Sequence, residues 1–116
     1  MANKITVDSV RAFVIGKPFR RENMAVEVIG ESVCLKLHGN TIAYRSSNDG
    51  KILISNCGWE TNTTKMRLNY LLNIYNFPFR IRQKNFIWYL GDKVWDGSRT
   101  HIDRNFINNI IVTNNK

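Results

Sequence analysis

The sequence predicts an α+β fold: a mostly antiparallel sheet with a central helix packed on it, and short helices near the N-terminus and the C-terminus. Three observations indicate this class. Short alternating segments separated by turns occupy residues 24–55, a helical period occupies residues 61–75, and alternating segments return at residues 79–90. Strands grouped before and after one long helix are typical of α+β proteins.

A short N-terminal helix is predicted over residues 8–15, where apolar residues fall at helical spacing. Asp8 or Thr6 can cap its start, because a side-chain oxygen there accepts a hydrogen bond from a free backbone N–H. Gly16, with a proline two positions later, is a helix stop signal. Residues 17–23 are then expected to form an exposed basic connection.

Four strands are predicted next, over residues 24–29, 32–38, 41–45 and 51–55. Each is bounded by turn residues. Gly39-Asn40 is the strongest of these signals, because both residues tolerate the positive φ that a two-residue hairpin turn needs. This succession predicts an antiparallel meander.

Residues 61–75 give the strongest helix pattern, with Thr61 as the N-cap. Four apolar side chains recur at the helical period and are expected to face the sheet. They are Leu68, Leu71, Leu72 and Tyr75.

Three further side chains of this helix, Met66, Tyr70 and Ile74, gather on its opposite face. A helix with one buried face usually carries polar residues on the opposite face. Either the C-terminal segment covers them, or another chain does. We therefore treat them as a candidate interface for a host protein or for a second copy of this chain.

The remaining chain predicts two strands, over residues 79–84 and 86–90, and a short strand at Val94-Trp95. Apolar residues four apart over residues 102–111 predict a final helix. With 116 residues and no linker or repeat, the chain is expected to be one domain.

Composition narrows the function classes. The formal net charge is +8, which favours encounter with polyanions and acidic surfaces. No run of eighteen apolar residues occurs, so no membrane contact is expected. The N-terminal residues lack the apolar region of a secretory signal, so we expect a cytosolic protein. Its two cysteines, Cys34 and Cys57, are then expected to be reduced thiols.

No pattern indicates catalysis. The nine acidic residues are scattered, and none forms a pair spaced for acid–base work or for a metal ion. No nucleophile elbow and no CxxC motif occurs. We therefore expect a protein that is not an enzyme, with no catalytic residue, no metal and no cofactor.

The first candidate site lies where the central helix begins. Thr63, Thr64 and Lys65 can present hydroxyl groups, backbone N–H groups and an ammonium to a phosphate, with Arg67 one turn further on. Trp59 can supply a face for stacking. The alternative is a structural junction, in which the threonines cap the helix and the cations are solvated.

The second candidate site is the hairpin over residues 79–90. Arg80, Arg82 and Lys84 alternate with Phe79, Ile81 and Gln83 and form a cationic stripe, and Trp88 follows on the next strand. Cations beside aromatic rings suit nucleic acid, because phosphates pair with the cations and bases stack on the rings. The alternative is a solvated strand face beside core aromatics.

One stretch resembles a known group. Residues 58–69 read Gly-Trp-x-Thr-x-Thr-Thr-Lys-x-Arg-Leu-Asn, and with Leu37-His38-Gly39-Asn40 and Trp88-Tyr89-Leu90 they resemble a group of small proteins of tailed bacteriophages. The resemblance spans about residues 13–97. It implies a phage protein that acts in the cytoplasm of an infected bacterium, and it implies no catalytic or binding residue.

These observations together predict a small basic, non-enzymatic phage protein that binds nucleic acid through phosphate contacts. Two alternatives remain open. One is an inhibitor of a host defence or regulatory protein, which would use the second apolar face of the central helix. The other is a nucleotide-binding module built at the start of that helix.

Overall fold

The computed structural model describes residues 3–46 and 51–102 and shows an α+β fold. These residues form two α-helices and nine strands. In chain order they are α1 (Lys4–Ile15), β1 (Phe19–Arg21), β2 (Met24–Ile29), β3 (Ser32–Leu37), β4 (Asn40–Ser46), β5 (Ile52–Ile54), α2 (Asn62–Ile74), β6 (Ile81–Lys84), β7 (Ile87–Leu90), β8 (Lys93–Val94) and β9 (Thr100–Ile102).

The larger sheet is antiparallel throughout and has the strand order β1-β2-β3-β4-β5-β9. Its β2 to β5 portion is the predicted meander. Two edge strands were not predicted: β1 lies in the segment 17–23 that we expected to be a connection, and β9 contains Ile102, which we expected to start a helix. The rest of that predicted helix lies outside the described residues.

A β-bulge shapes the middle of this sheet. Leu35 pairs with Ala43, but the next residue, Lys36, pairs with Thr41, so Ile42 is the extra residue of β4. The bulge lets two consecutive residues, Ile42 and Ala43, both be buried. Strict alternation along β4 would have placed one of them on the opposite face.

Both helices have the caps that their local sequences provide. The Asn3 side chain accepts a hydrogen bond from the Thr6 backbone N–H, so α1 begins at Lys4, and the predicted start at residue 8 was wrong. Gly16 ends α1 in the left-handed conformation. Thr61 is the N-cap of α2, as predicted, and its hydroxyl accepts from the Thr64 N–H at 3.2 Å.

The core lies between the large sheet and the two helices. α1 contacts β1, β2 and β3, whereas α2 contacts α1, β4 and β6. Apolar side chains from every layer meet there, including Phe13, Leu35, Ile54, Leu68 and Leu72.

The smaller sheet, β6-β7-β8, is also antiparallel. Trp88, Leu90 and Trp95 connect it to the core. Its outermost strand β6 is held by a side chain of α2: the Asn69 amide accepts from the Ile81 N–H at 2.7 Å and donates to the Ile81 carbonyl at 2.9 Å. One side-chain amide therefore takes the place of a neighbouring strand.

Candidate nucleic-acid interface

The start of α2 is a compact junction. Thr64 is buried and its hydroxyl lies 3.1 Å from that of Thr61. Trp59 is 49% exposed, and its ring centroid lies 6.2 Å from that of His38. With the half-buried Thr63 these residues line a cavity of about 160 Å³.

Arg67 is not on the surface. It is only 4% exposed, and its guanidinium donates to the side-chain oxygens of Asn3, Thr6 and Asn23. Burial lowers the pKa of this guanidinium, with nearby Glu22 acting in the opposite direction. Arg67 thus joins α2 to α1 and to the turn after β1, and it cannot reach a phosphate without local opening.

Trp88 is also inside the fold, with 1% of its surface exposed. It lies on the face of the small sheet that carries Ile81 and Leu90, towards the core. Lys65 extends from α2 over its ring, 5.6 Å from the centroid, and donates to Gln83 Oε1 at 3.0 Å. The predicted stacking residue is therefore covered, and Lys65 bridges α2 to β6.

Met66, Tyr70 and Ile74 are half-buried. Tyr70 and Ile74 pack against the core, and the Thr6 hydroxyl of α1 lies 3.5 Å from the Met66 sulfur. We had considered the C-terminal segment or another chain as the cover. The structure shows that α1 contributes to it.

The outward side of the small sheet differs from the buried side in composition. We call it the outer face, and it carries Arg82, Lys84, Ile87, Tyr89 and Val94. Arg82 pairs with Tyr89, Lys84 with Ile87, and Tyr89 with Val94, and paired residues share a face. Arg82 and Lys84 are exposed, and so are 46% of Ile87 and 67% of Val94.

Charge on this face is not neutralised locally. Among the described residues, no carboxylate forms an ion pair with Arg82 or Lys84, or with the exposed Arg80 that precedes β6. The Arg82 guanidinium lies 5.4 Å from the centroid of the Tyr89 ring, a cation–π distance. The outer face therefore combines free cations with an aromatic ring.

Arg80 connects the outer face to a polar groove. The groove, of about 400 Å³, runs between α2 and the start of β6. Its lining side chains are Asn62, Lys65, Met66, Asn69, Tyr70, Asn73 and Arg80. Two cations and three amides thus line this groove beside the start of β6.

Phe86 is a surface residue that the sequence analysis did not single out. We expected it to begin a strand, but it occupies the turn between β6 and β7, with φ of 67° beside Asn85 at 53°. Its side chain is 90% exposed. The sequence feature that could have indicated it is the dipeptide Asn85-Phe86, at a turn position where hairpins favour Asn-Gly.

Other chemistry is sparse in the part of the chain that the structure describes. No three His, Cys, Asp or Glu side chains there come together as a metal site. Cys34 and Cys57 are free thiols, and burial raises the pKa of Cys34. Neither of the two helices in residues 3–46 and 51–102 is long and apolar enough to cross a bilayer.

Comparison with known proteins agrees with the resemblance found in the sequence. No curated protein and no solved structure matches the chain. The sequence model of the Kyanoviridae Gp96 protein family matches residues 2–113, nearly the full length. The chain therefore belongs to the Kyanoviridae Gp96 protein family, a family of bacteriophage proteins.

Proposed function

We propose that the protein is a non-enzymatic nucleic-acid-binding module, acting in the cytoplasm of the infected bacterium. It contacts phosphates through the outer face of the small sheet together with Arg80. The observation that carries this proposal is the row of Arg80, Arg82 and Lys84, which are exposed and without ion-pair partners among the described residues.

The outer face has the physical properties that phosphate binding requires. Cationic side chains without internal partners can neutralise phosphates, and the counterions that this releases from the nucleic acid favour binding. Tyr89 and the exposed Ile87 and Val94 offer apolar contact beside these cations. Of the residues predicted from the sequence, the proposed site therefore includes Arg80, Arg82 and Lys84. It excludes Arg67 and Trp88, because both are buried.

A free nucleotide is a less suitable ligand for the start of α2. The cavity there, of about 160 Å³, is smaller than the roughly 300–1,000 Å³ typical of small-molecule pockets. Thr64 is already bonded to Thr61. The geometry at this junction favours a capped helix start.

The first prediction tests the phosphate contacts. Arg80, Arg82 and Lys84 are replaced together by alanine, and binding to labelled oligonucleotides is followed by fluorescence anisotropy over a salt series. We expect at least a tenfold loss of affinity at low salt. The slope of log affinity against log salt should fall by about 2 to 3, because each phosphate contact contributes roughly 0.7–0.9.

A matched control removes the same charge elsewhere. Arg11, Lys17 and Arg20 are all exposed, on α1 and around the start of β1, and their triple alanine variant has the same net charge. We expect this variant to keep most of the affinity and most of the salt slope. Equal losses in the two variants would mean that overall charge, and not the outer face, is responsible. Absence of any wild-type binding at low salt would refute the proposed function.

A host protein is the second candidate partner. Ile87 and Val94 are exposed apolar side chains on the outer face, where a partner protein could bury them. Affinity capture from nuclease-treated host lysate separates the two readings. A stoichiometric host protein that survives nuclease, and that the Ile87→Asp variant no longer captures, would favour inhibition of a host target.

A further inference from the structure

Phe86, at the tip of the β6–β7 hairpin, indicates a second kind of ligand contact besides the phosphate contacts. We infer that the outer face takes single-stranded nucleic acid, and that Phe86 stacks on an unpaired base at the end of the cation row. This inference rests on the proposed function and specifies its ligand.

The backbone at the tip is unfavourable for the residue that occupies it. Asn85 and Phe86 both have positive φ, as a two-residue type I′ turn requires. Asparagine tolerates that conformation, whereas a bulky side chain does so only with strain. Glycine is the usual second residue of this turn, and the chain has phenylalanine there instead.

No contact among the described residues compensates for this strain. The Phe86 side chain is 90% exposed, so its ring gains almost no burial and packs against no core residue of the described ranges. Residues in strained backbone conformations cluster at functional sites. An exposed ring at the end of a hairpin is suited to contact with a ligand.

The ligand chemistry follows from the position of the ring. Lys84 and Arg82 lie behind Phe86 along β6, about 6.6 Å apart, since strand residues on one face recur every second position. The phosphates of an extended single-stranded nucleic acid can lie along these cations while one of its bases reaches Phe86 at the tip of the hairpin. The Tyr89 ring is already covered by Arg82, so Phe86 has the freer aromatic face.

An unpaired base fits this arrangement better than a base pair. In a duplex both faces of each base are already stacked, and access for a side chain requires unstacking of a step. Bases of a single strand are available to aromatic rings without that cost. The tip should therefore discriminate between single-stranded and paired ligands of the same sequence.

The experiment compares Phe86→Gly and Phe86→Tyr with the wild-type full chain. The probes are a single-stranded oligonucleotide, its duplex, and an abasic strand of equal length that has phosphates without bases. We expect Phe86→Gly to bind the single strand about tenfold or more weakly, in the range that loss of one stacked base gives. Phe86→Tyr should bind normally, and binding of the abasic strand should not change.

Thermal unfolding provides the readout that separates function from structure. Phe86→Gly creates the favoured Asn-Gly turn, so its melting temperature should rise while its affinity falls. A lower melting temperature would show that Phe86 supports the fold and would overturn the inference. Unchanged single-strand affinity, or an equal loss for the duplex or the abasic strand, would overturn it too.

Failure of this inference is distinguishable from failure of the proposed function. If the inference alone is wrong, the wild-type protein still binds the probes with a steep salt dependence that Arg80, Arg82 and Lys84 control. If the proposed function is wrong, the wild-type protein binds none of the probes at low salt.

Discussion

Arg67 and Lys65 are both cationic side chains of α2, but they lie in different environments. Lys65 reaches outwards to Gln83, while Arg67 turns into the interior. There its guanidinium donates hydrogen bonds to neutral side-chain oxygens of Asn3, Thr6 and Asn23. A planar guanidinium can bond to three such groups at once, which an ammonium on a flexible stem does less well.

A prediction at this scale concerns stability. Arg67→Ala removes these hydrogen bonds and leaves a cavity, so we expect the free energy of unfolding to fall by about 2–4 kcal/mol in urea titration. Arg67→Met should cost less, because it refills most of the volume. The exposed Arg82→Ala is the control and should change stability by less than about 0.5 kcal/mol. A similarly small effect of Arg67→Ala would contradict the structural role.

Capping signals were readable from the sequence at single residues, whereas the burial of Arg67 was not. The N-cap role of Thr61 depends on Thr64, three positions away, so the spacing alone predicts it. Burial of Arg67 depends on Asn3 and Thr6, which are more than sixty positions away. The residues next to Arg67 in the sequence do not indicate that α1 will cover it.

At the level of elements, one side-chain amide of α2 helps to dock the small sheet, beside the apolar contacts that connect this sheet to the core. Asn69 bonds to both backbone groups of Ile81, so β6 behaves as though α2 supplied a further strand. The alternating pattern predicted β6 and β7 as strands. It did not predict that they would form a separate sheet, because the division of strands between two sheets depends on contacts between residues far apart in sequence.

A prediction at this scale concerns local opening. Asn69→Ala should speed hydrogen exchange of the β6 and β7 amides by about tenfold or more, since loss of two hydrogen bonds lowers the free energy of local opening. Amides of β3 and β4 should keep their rates. Asn73→Ala, one turn further along α2 on an exposed side chain, is the matched control. Uniform acceleration across both sheets would mean that the small sheet does not open by itself.

For the whole molecule, the antiparallel meander was predictable because its turns are local. The features that were not predicted lack such local signals. β1 is only three residues long, Ile42 is a bulge residue, and β9 pairs with β5 across a long stretch of chain. A short strand has too few residues to show alternation, and long-range pairing leaves no local trace.

The pairing of Ile52 with Ile102 also has a kinetic consequence. Contacts between neighbouring hairpins close short loops, but β9 can join β5 only after α2 and the small sheet have brought the chain back, so its loop-closure entropy is large. We expect β2 to β4 to acquire protection first during refolding and Thr100–Ile102 to acquire it last. Pulse-labelled hydrogen exchange measures this order. Simultaneous protection of both regions would mean that the return of the chain is already complete in the rate-limiting step.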